Sequence, residues 1–244
     1  MIERLERYGR VRTLLVPVLV AGALVTLFLL FQVRPPDTRE QTVLNSERLG
    51  QAFQTHLAIV TQALLAALAL GVPLGILLAR RLRWLRTGVF TVANLSQAVP
   101  SVSFLAGAFF VLGIGQTPAV VALSALSLLP ILRNTVVGLQ GVDPAVIEAA
   151  RGMGMSRAQS LLRVELPLAS PAIFAGVRTA VVLNISSATL ATFIGGGGLG
   201  DIIQSGIDGN LGRATLVGAA LVACLALTAD WLAGLLERRL SPNL

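Results

Sequence analysis

An all-α chain that crosses a membrane several times is the fold class this sequence predicts, and three observations predict it. Of the 244 residues, 55% are hydrophobic and only 13% charged, against roughly 25% charged in an ordinary soluble domain. The apolar residues gather into charge-free runs such as Thr13 to Val33 and Leu57 to Ala79. Such runs suffice for the ~20 helical residues that cover a hydrocarbon core about 30 Å thick. The basic residues, all 19 of them arginine, fall between those runs. A net charge of +7 would point to nucleic acid in a soluble chain. Here the distribution points to membrane orientation, with lipid and not nucleic acid as the surroundings.

The elements follow in order. Thr13 to Val33 is longer than a signal-peptide core of roughly 7–15 residues, and no small-residue cleavage site follows it. It reads as a retained first helix, with a cleaved signal as the alternative. Residues 34–50, beginning Arg34-Pro35-Pro36-Asp37, predict an outer linker to a core of five further helices. Leu57 to Ala79 is the second helix. Thr87 to Leu132 carries no charge and is too long for one crossing. Gly113, Gly115 and Pro118 punctuate it, which predicts helices at about 88–112 and 118–139. The fifth and sixth are expected at about 171–193 and 214–236. The single cysteine, Cys224, sits in an apolar run and reads as a small apolar residue. His56, at the outer end of the second helix, reads as an interfacial residue.

Six crossings place both termini on one face. With both inside, fourteen arginines lie in inner segments and four (Arg34, Arg39, Arg48 and Arg213) outside, which fixes cytoplasmic termini by the positive-inside rule. The chain then divides into a stub, extra helix and linker (1–50), a transmembrane core (51–236) and a cytoplasmic tail (237–244).

The longest inner loop, 140–170, is patterned. Asp143 before Pro144 is an N-cap with proline at the first helical position, so a short helix should run from Pro144 to Arg151. Gly152-Met153-Gly154 breaks it. Ser156 with Gln159 fits a capping box, so a second short helix begins there, and Pro167 should stop it before the fifth crossing. The loop is therefore expected to be a preformed helix–turn–helix.

Glu148-Ala149-Ala150, then Gly154, then Val164-Glu165-Leu166-Pro167 resembles the EAA loop of binding-protein-dependent ABC permeases, with valine where the usual pattern has isoleucine. Pro130–Asn134, Glu148–Met155 and Thr192–Asp201 resemble the osmoprotectant branch, whose permeases import glycine betaine, choline, carnitine and related quaternary amines. The similarity covers about residues 50–235 and leaves helix 1 outside. It implies an all-α polytopic type I ABC importer core in a bacterial inner membrane. It also implies that residues 144–156 form a coupling helix docking in a groove of an ABC ATPase. The residues so implicated are Asp143, Pro144, Glu148, Ala149, Ala150, Gly152, Gly154, Ser156 and Pro167. Ala149 and Ala150 are small enough for close approach by a partner. The remaining partners implied are a separate solute-binding protein and a second permease copy or paralogue. An amphipathic loop resting on lipid headgroups is the plainer alternative.

Gly195 to Gly200 matches GxGxxG, a motif with meaning only between a strand and a helix; here it ends a membrane helix. No GxxxxGK[ST] occurs, so ATP and Mg are expected on the partner ATPase, with no cofactor in this chain. The glycine run is expected to end helix 5 and let loop 195–212 fold against the binding protein, or to be a plain turn. Arg178 and Asp230 both sit about 10 Å deep at 1.5 Å per residue, which predicts an ion pair; snorkelling of Arg178 is the alternative. Gln97, Ser101, Asn184, Ser187 and Thr189 are candidates for a translocation path, or for simple interhelical packing. No triad, catalytic carboxylate pair or metal-ligand cluster is present, so no catalysis is expected. With 5% aromatics, recognition of a quaternary amine, which uses aromatic faces, is expected mainly in the binding protein. The other readings are a permease for an amino acid such as proline or methionine, and an ion-coupled secondary transporter. The latter would use acids near the midplane, whereas Asp230 lies near one end.

Overall fold

The computed structural model describes residues 2–33 and 35–240, and for residues 2–13, 96–97 and 238–240 the backbone path alone. The expectations for the Gln97 side chain, for Arg34 and for residues 241–244 of the tail therefore fall outside the described residues. In chain order the helices are α1 (Ile2–Val33), α2 (Thr38–Leu44), α3 (Ser46–Arg80), α4 (Arg86–Gln97), α5 (Ser101–Leu112) and α6 (Gln116–Gln140). There follow α7 (Pro144–Gly152), α8 (Arg157–Ser160), α9 (Leu166–Ser187), α10 (Leu199–Asp208) and α11 (Gly212–Leu240). A π-helical turn occupies Leu161–Glu165 and a 3-10 stretch Ala188–Ile194. No strand occurs among the described residues.

Five helical stretches are long and apolar enough to cross a membrane. The sixth expected crossing, 88–112, is present as two twelve-residue helices, α4 and α5. Pro100 separates them: it has no N–H to give and disfavours helical geometry in the residue before it. The packing register supports a crossing here. Gly71 of α3 lies against Ile131 of α6, and Gly75 against Thr135, so the two numberings rise together and the helices are parallel. Parallel spanning neighbours need a return crossing between them, and α4 with α5 supplies it.

The centre of the molecule is α3 on α6 and α6 on α9, with α11 on the far side of α9. Ala63, Ala67, Gly71, Gly75 and Ala79 recur every four residues along α3, and all are buried. Lipid tails are as apolar as leucine, so helices in a membrane associate through close packing, and small residues permit it. A Cβ added to Gly75 would stand 2.6 Å from Thr135 Cβ. Serine and threonine hydroxyls in these helices bond the carbonyl one turn back, as Thr135 does to Ile131 at 2.8 Å and Ser124 to Val120 at 2.6 Å. Ser127 of α6 does not follow this pattern: its hydroxyl is buried with no hydrogen-bond partner.

α1 stands apart. None of its apolar span is buried; it rests on α11, with Leu27 and Phe31 against the core. Residues expected as a linker contain α2, opened by a capping box between Asp37 and Glu40 and tied down by an ion pair from Arg213 to Glu40 at 3.0 Å. Loop 195–212 is likewise largely helical: α10 buries Leu199 and Ile202 against α11 and α3. Gly195, Gly197 and Gly198 all have positive φ, which is how the chain ends the 3-10 stretch and doubles back. At Gly200 the need is space, since a Cβ there would meet the Thr189 carbonyl oxygen at 2.0 Å.

His56 departs from its expected interfacial place. It is fully buried, with Nε2 donating to the Ile185 carbonyl at 3.1 Å. Ile185 lies just before the change from α to 3-10 geometry at Ala188.

Candidate functional site

The loop joining α6 to α9 is built as its caps dictate. Asp143 Oδ1 accepts from the Ala145 N–H at 2.9 Å and Pro144 occupies the first turn of α7, satisfying one of the bare donors at a helix start. At the other end the Gly154 N–H bonds the Arg151 carbonyl at 2.9 Å and the Met155 N–H bonds the Ala150 carbonyl at 3.2 Å. This pair of bonds is a Schellman closure, which needs a left-handed residue after the helix. Gly154 provides it at φ +83, in open space. Ser156 and Gln159 then cap each other reciprocally, at 3.3 Å and 2.8 Å, and start α8. Every bend in the loop is hydrogen-bonded and none depends on a partner for its shape.

α7 is two-faced. Ile147 and Ala150 share its inner side, with Ala150 only 2% exposed, and Ile147 packs on the cluster around Leu139 and Val142. Glu148, Ala149, Gly152 and Met153 are exposed. Ala150 was expected to face a partner together with Ala149. At 100° per residue the two cannot share a face, and it is Ile147, one turn earlier, whose side Ala150 takes. Its small size serves the chain's own packing.

Pro167 does not stop the second short helix. α8 runs through the π turn into α9, and the fifth helix begins at Leu166 instead of about 171. In the π turn the Leu166 N–H reaches back five residues to the Leu161 carbonyl. This widening relieves the clash that a proline ring otherwise makes with the carbonyl four residues earlier. Pro167 sits exposed in the first turn of α9.

Two residues outside the coupling candidates anchor this loop: Glu165, quoted above only as part of a motif, and Arg80. Glu165, 3% exposed, closes the π turn; it accepts from Ser160 Oγ at 3.0 Å and forms an ion pair with Arg80 at the end of α3. The signal was available: Glu165 is an acid in an otherwise basic stretch, before a proline.

Deeper, Arg178 and Asp230 meet in a two-pronged pair, Nε to Oδ1 at 2.5 Å and Nη2 to Oδ2 at 2.7 Å, and Glu237 reaches Arg178 Nη1 at 3.3 Å. The pair joins α9 to α11. Asn184 is fully buried in the helix packing, with no hydrogen-bond partner for either side-chain polar atom, so it does not line an open path in this chain. Ser101, Ser187 and Thr189 are half-buried, and Thr189 Oγ1 bonds the Ser186 carbonyl at 2.7 Å. No group of metal-ligating residues occurs among the described residues.

A multi-pass helical membrane protein with a rigid, self-capped helix–turn–helix on its arginine-rich face is a transport subunit in its architecture. The chain belongs to the binding-protein-dependent transport system inner membrane component family, whose profile matches residues 71–242. It is 44% identical over 193 residues to the glycine betaine/carnitine/choline transport system permease protein OpuCD of Bacillus subtilis, covering 79% of this chain and 84% of that one. It is 42% identical over 213 residues to the osmoprotectant import permease protein OsmW of Salmonella typhimurium, covering 85% and 98%. Among solved structures, an inward-facing form of the MetNI methionine ABC transporter matches with a TM-score of 0.70 at 22% identity, over 79% of this chain and 95% of that one. That likeness shows the fold alone.

Proposed function

We propose that this chain forms one of two membrane halves of an ATP-driven importer for quaternary-amine osmoprotectants, with both termini in the cytoplasm. A separate ATPase binds ATP and Mg and carries out hydrolysis. A separate binding protein delivers the solute, and this subunit catalyses no reaction. The observation that carries the reading is the loop 143–165. It presents Glu148, Ala149, Gly152 and Met153 outward on a frame fixed by its own caps and by Glu165 to α3. A rigid projection passes on displacement, whereas a flexible connector would absorb it. The similarity to OpuCD and OsmW supports the choice of cargo, and the scarcity of aromatics supports placing selectivity in the binding protein.

Uptake of radiolabelled glycine betaine into proteoliposomes holding this chain, its ATPase and its binding protein tests the proposal, with Gly154→Asp alongside. Uptake that requires ATP and is lost in the variant, with the assembled complex intact, is the expected result. An intact complex that hydrolyses ATP but moves no betaine, choline or carnitine would remove the cargo. Uptake without ATPase would overturn the mechanism.

A further inference from the structure

A cavity of about 620 Å³ opens between the end of α3 and the start of α8. Its floor is apolar, formed by Pro73, Ile76 and Leu77 of α3 and by Leu161. Its rim carries Arg80, Arg81, Arg83, Arg151 and Arg157, with Glu165 the one acid lining it. That acid is occupied by Arg80 and Ser160. Arg81, Arg83, Arg151 and Arg157 have no carboxylate partner among the described residues, and Arg83 finds only the Ala79 carbonyl at 3.3 Å. Cations gathered this closely repel one another, so the folded chain holds an uncompensated positive field here.

We infer that this cleft binds one anionic phospholipid, its phosphate on the arginine rim and an acyl chain along the floor. Charge calls for an anion, and the floor decides which kind. Pro73 lies seven residues before Arg80, about 10 Å deeper at 1.5 Å per residue, inside the apolar span. Pro73 and Leu77 are both exposed there. A free phosphate leaves that surface bare, and a soluble partner does not reach it. A lipid satisfies both halves, as basic pockets between membrane helices do elsewhere. The bound lipid wedges α3 against the base of the helix–turn–helix. The inference rests on the membrane-spanning fold and not on the cargo.

The test is native mass spectrometry of the assembled transporter, supplied with equal amounts of dioleoyl phosphatidylglycerol and dioleoyl phosphatidylcholine. One phosphatidylglycerol retained per copy, at about tenfold preference or more, is expected from the arginines near the headgroup. Arg81→Gln with Arg83→Gln should bring the two lipids to parity. Leu77→Trp fills the floor with every charge in place, and should lower retention of the anionic lipid on its own. Excess inorganic phosphate should not displace the lipid. Equal retention of the two lipids by the native complex, a preference that survives both variants, or displacement by phosphate would each overturn the proposal. Because this readout does not involve uptake, its failure is separate from failure of the transport reading.

Discussion

Arg80 and Glu165 are paired but not equivalent, because their side chains are 27% and 4% exposed. Removing Glu165 leaves an arginine that still reaches water. Removing Arg80 strands a buried carboxylate, and stranded buried charges cost about 3–5 kcal/mol. Arg80→Ala should therefore lower the thermal melting point of the purified subunit more than Glu165→Ala. The double variant should melt above Arg80→Ala alone; the reverse order would show that the pair does not hold the loop. The Arg178 pair differs again. Asp230 grips the guanidinium with two hydrogen bonds and Glu237 with one, and two-pronged charged contacts are the stronger kind. Asp230→Asn should sharply reduce the amount of folded subunit in the membrane, since a charge left in lipid costs on the order of 2–3 kcal/mol, and Glu237→Gln much less. Exchanging Arg178 and Asp230 should restore much of the loss, and equal damage from all three changes would argue against pairing.

At the scale of elements, glycine spacing decides how the end of the bundle that carries α10 closes. Gly200→Ala places a carbon on the Thr189 carbonyl, 2.0 Å away, whereas a Cβ on Gly212 meets nothing within 4 Å. Overpacking of a fixed backbone costs roughly 1–3 kcal/mol or more. Size-exclusion and melting profiles should show Gly200→Ala strongly impaired and Gly212→Ala near native. Elements whose cause is local were legible in the sequence: the charge-free spans, the Asp143-Pro144 start, the Ser156–Gln159 box. Those whose cause is tertiary were not. α10 follows a glycine run and reads as loop, because its burial comes from α11 and α3. The π turn has no signature of its own; it exists where Glu165 must reach Arg80 and Pro167 must be accommodated. The burial of His56 goes with a hydrogen bond to a carbonyl 129 residues away. Asn184 belongs beside it, since a polar residue on a membrane helix reads the same whether it faces a path or a packed neighbour.

For the molecule as a whole, the arginine asymmetry makes a prediction about sides. With Cys224, which is buried, replaced by serine, single cysteines at Met153 and Asp208 report opposite faces. In intact cells a membrane-impermeant maleimide should label the Asp208 position and spare the Met153 position until the membrane is opened. The opposite pattern would invert the topology. The core helices were predictable in number because lipid imposes a length on each, but their neighbours were not: the α3 stripe of Ala63, Ala67, Gly71, Gly75 and Ala79 is visible only once α6 is known to lie on it. The unbroken run from Arg157 to Ile194 has a mechanical meaning. It is about 57 Å long, at 1.5 Å per residue, with one end in the helix–turn–helix and the other beside Gly195 to Gly198. Its hydrogen-bond pattern changes at two places: the π turn, where a bond five residues long replaces the usual four, and the 3-10 stretch Ala188–Ile194. The Arg80–Glu165 pair ties the first of these places to the end of α3. A displacement of the helix–turn–helix should therefore carry to the far end along one continuous backbone that is pinned to α3 near its start.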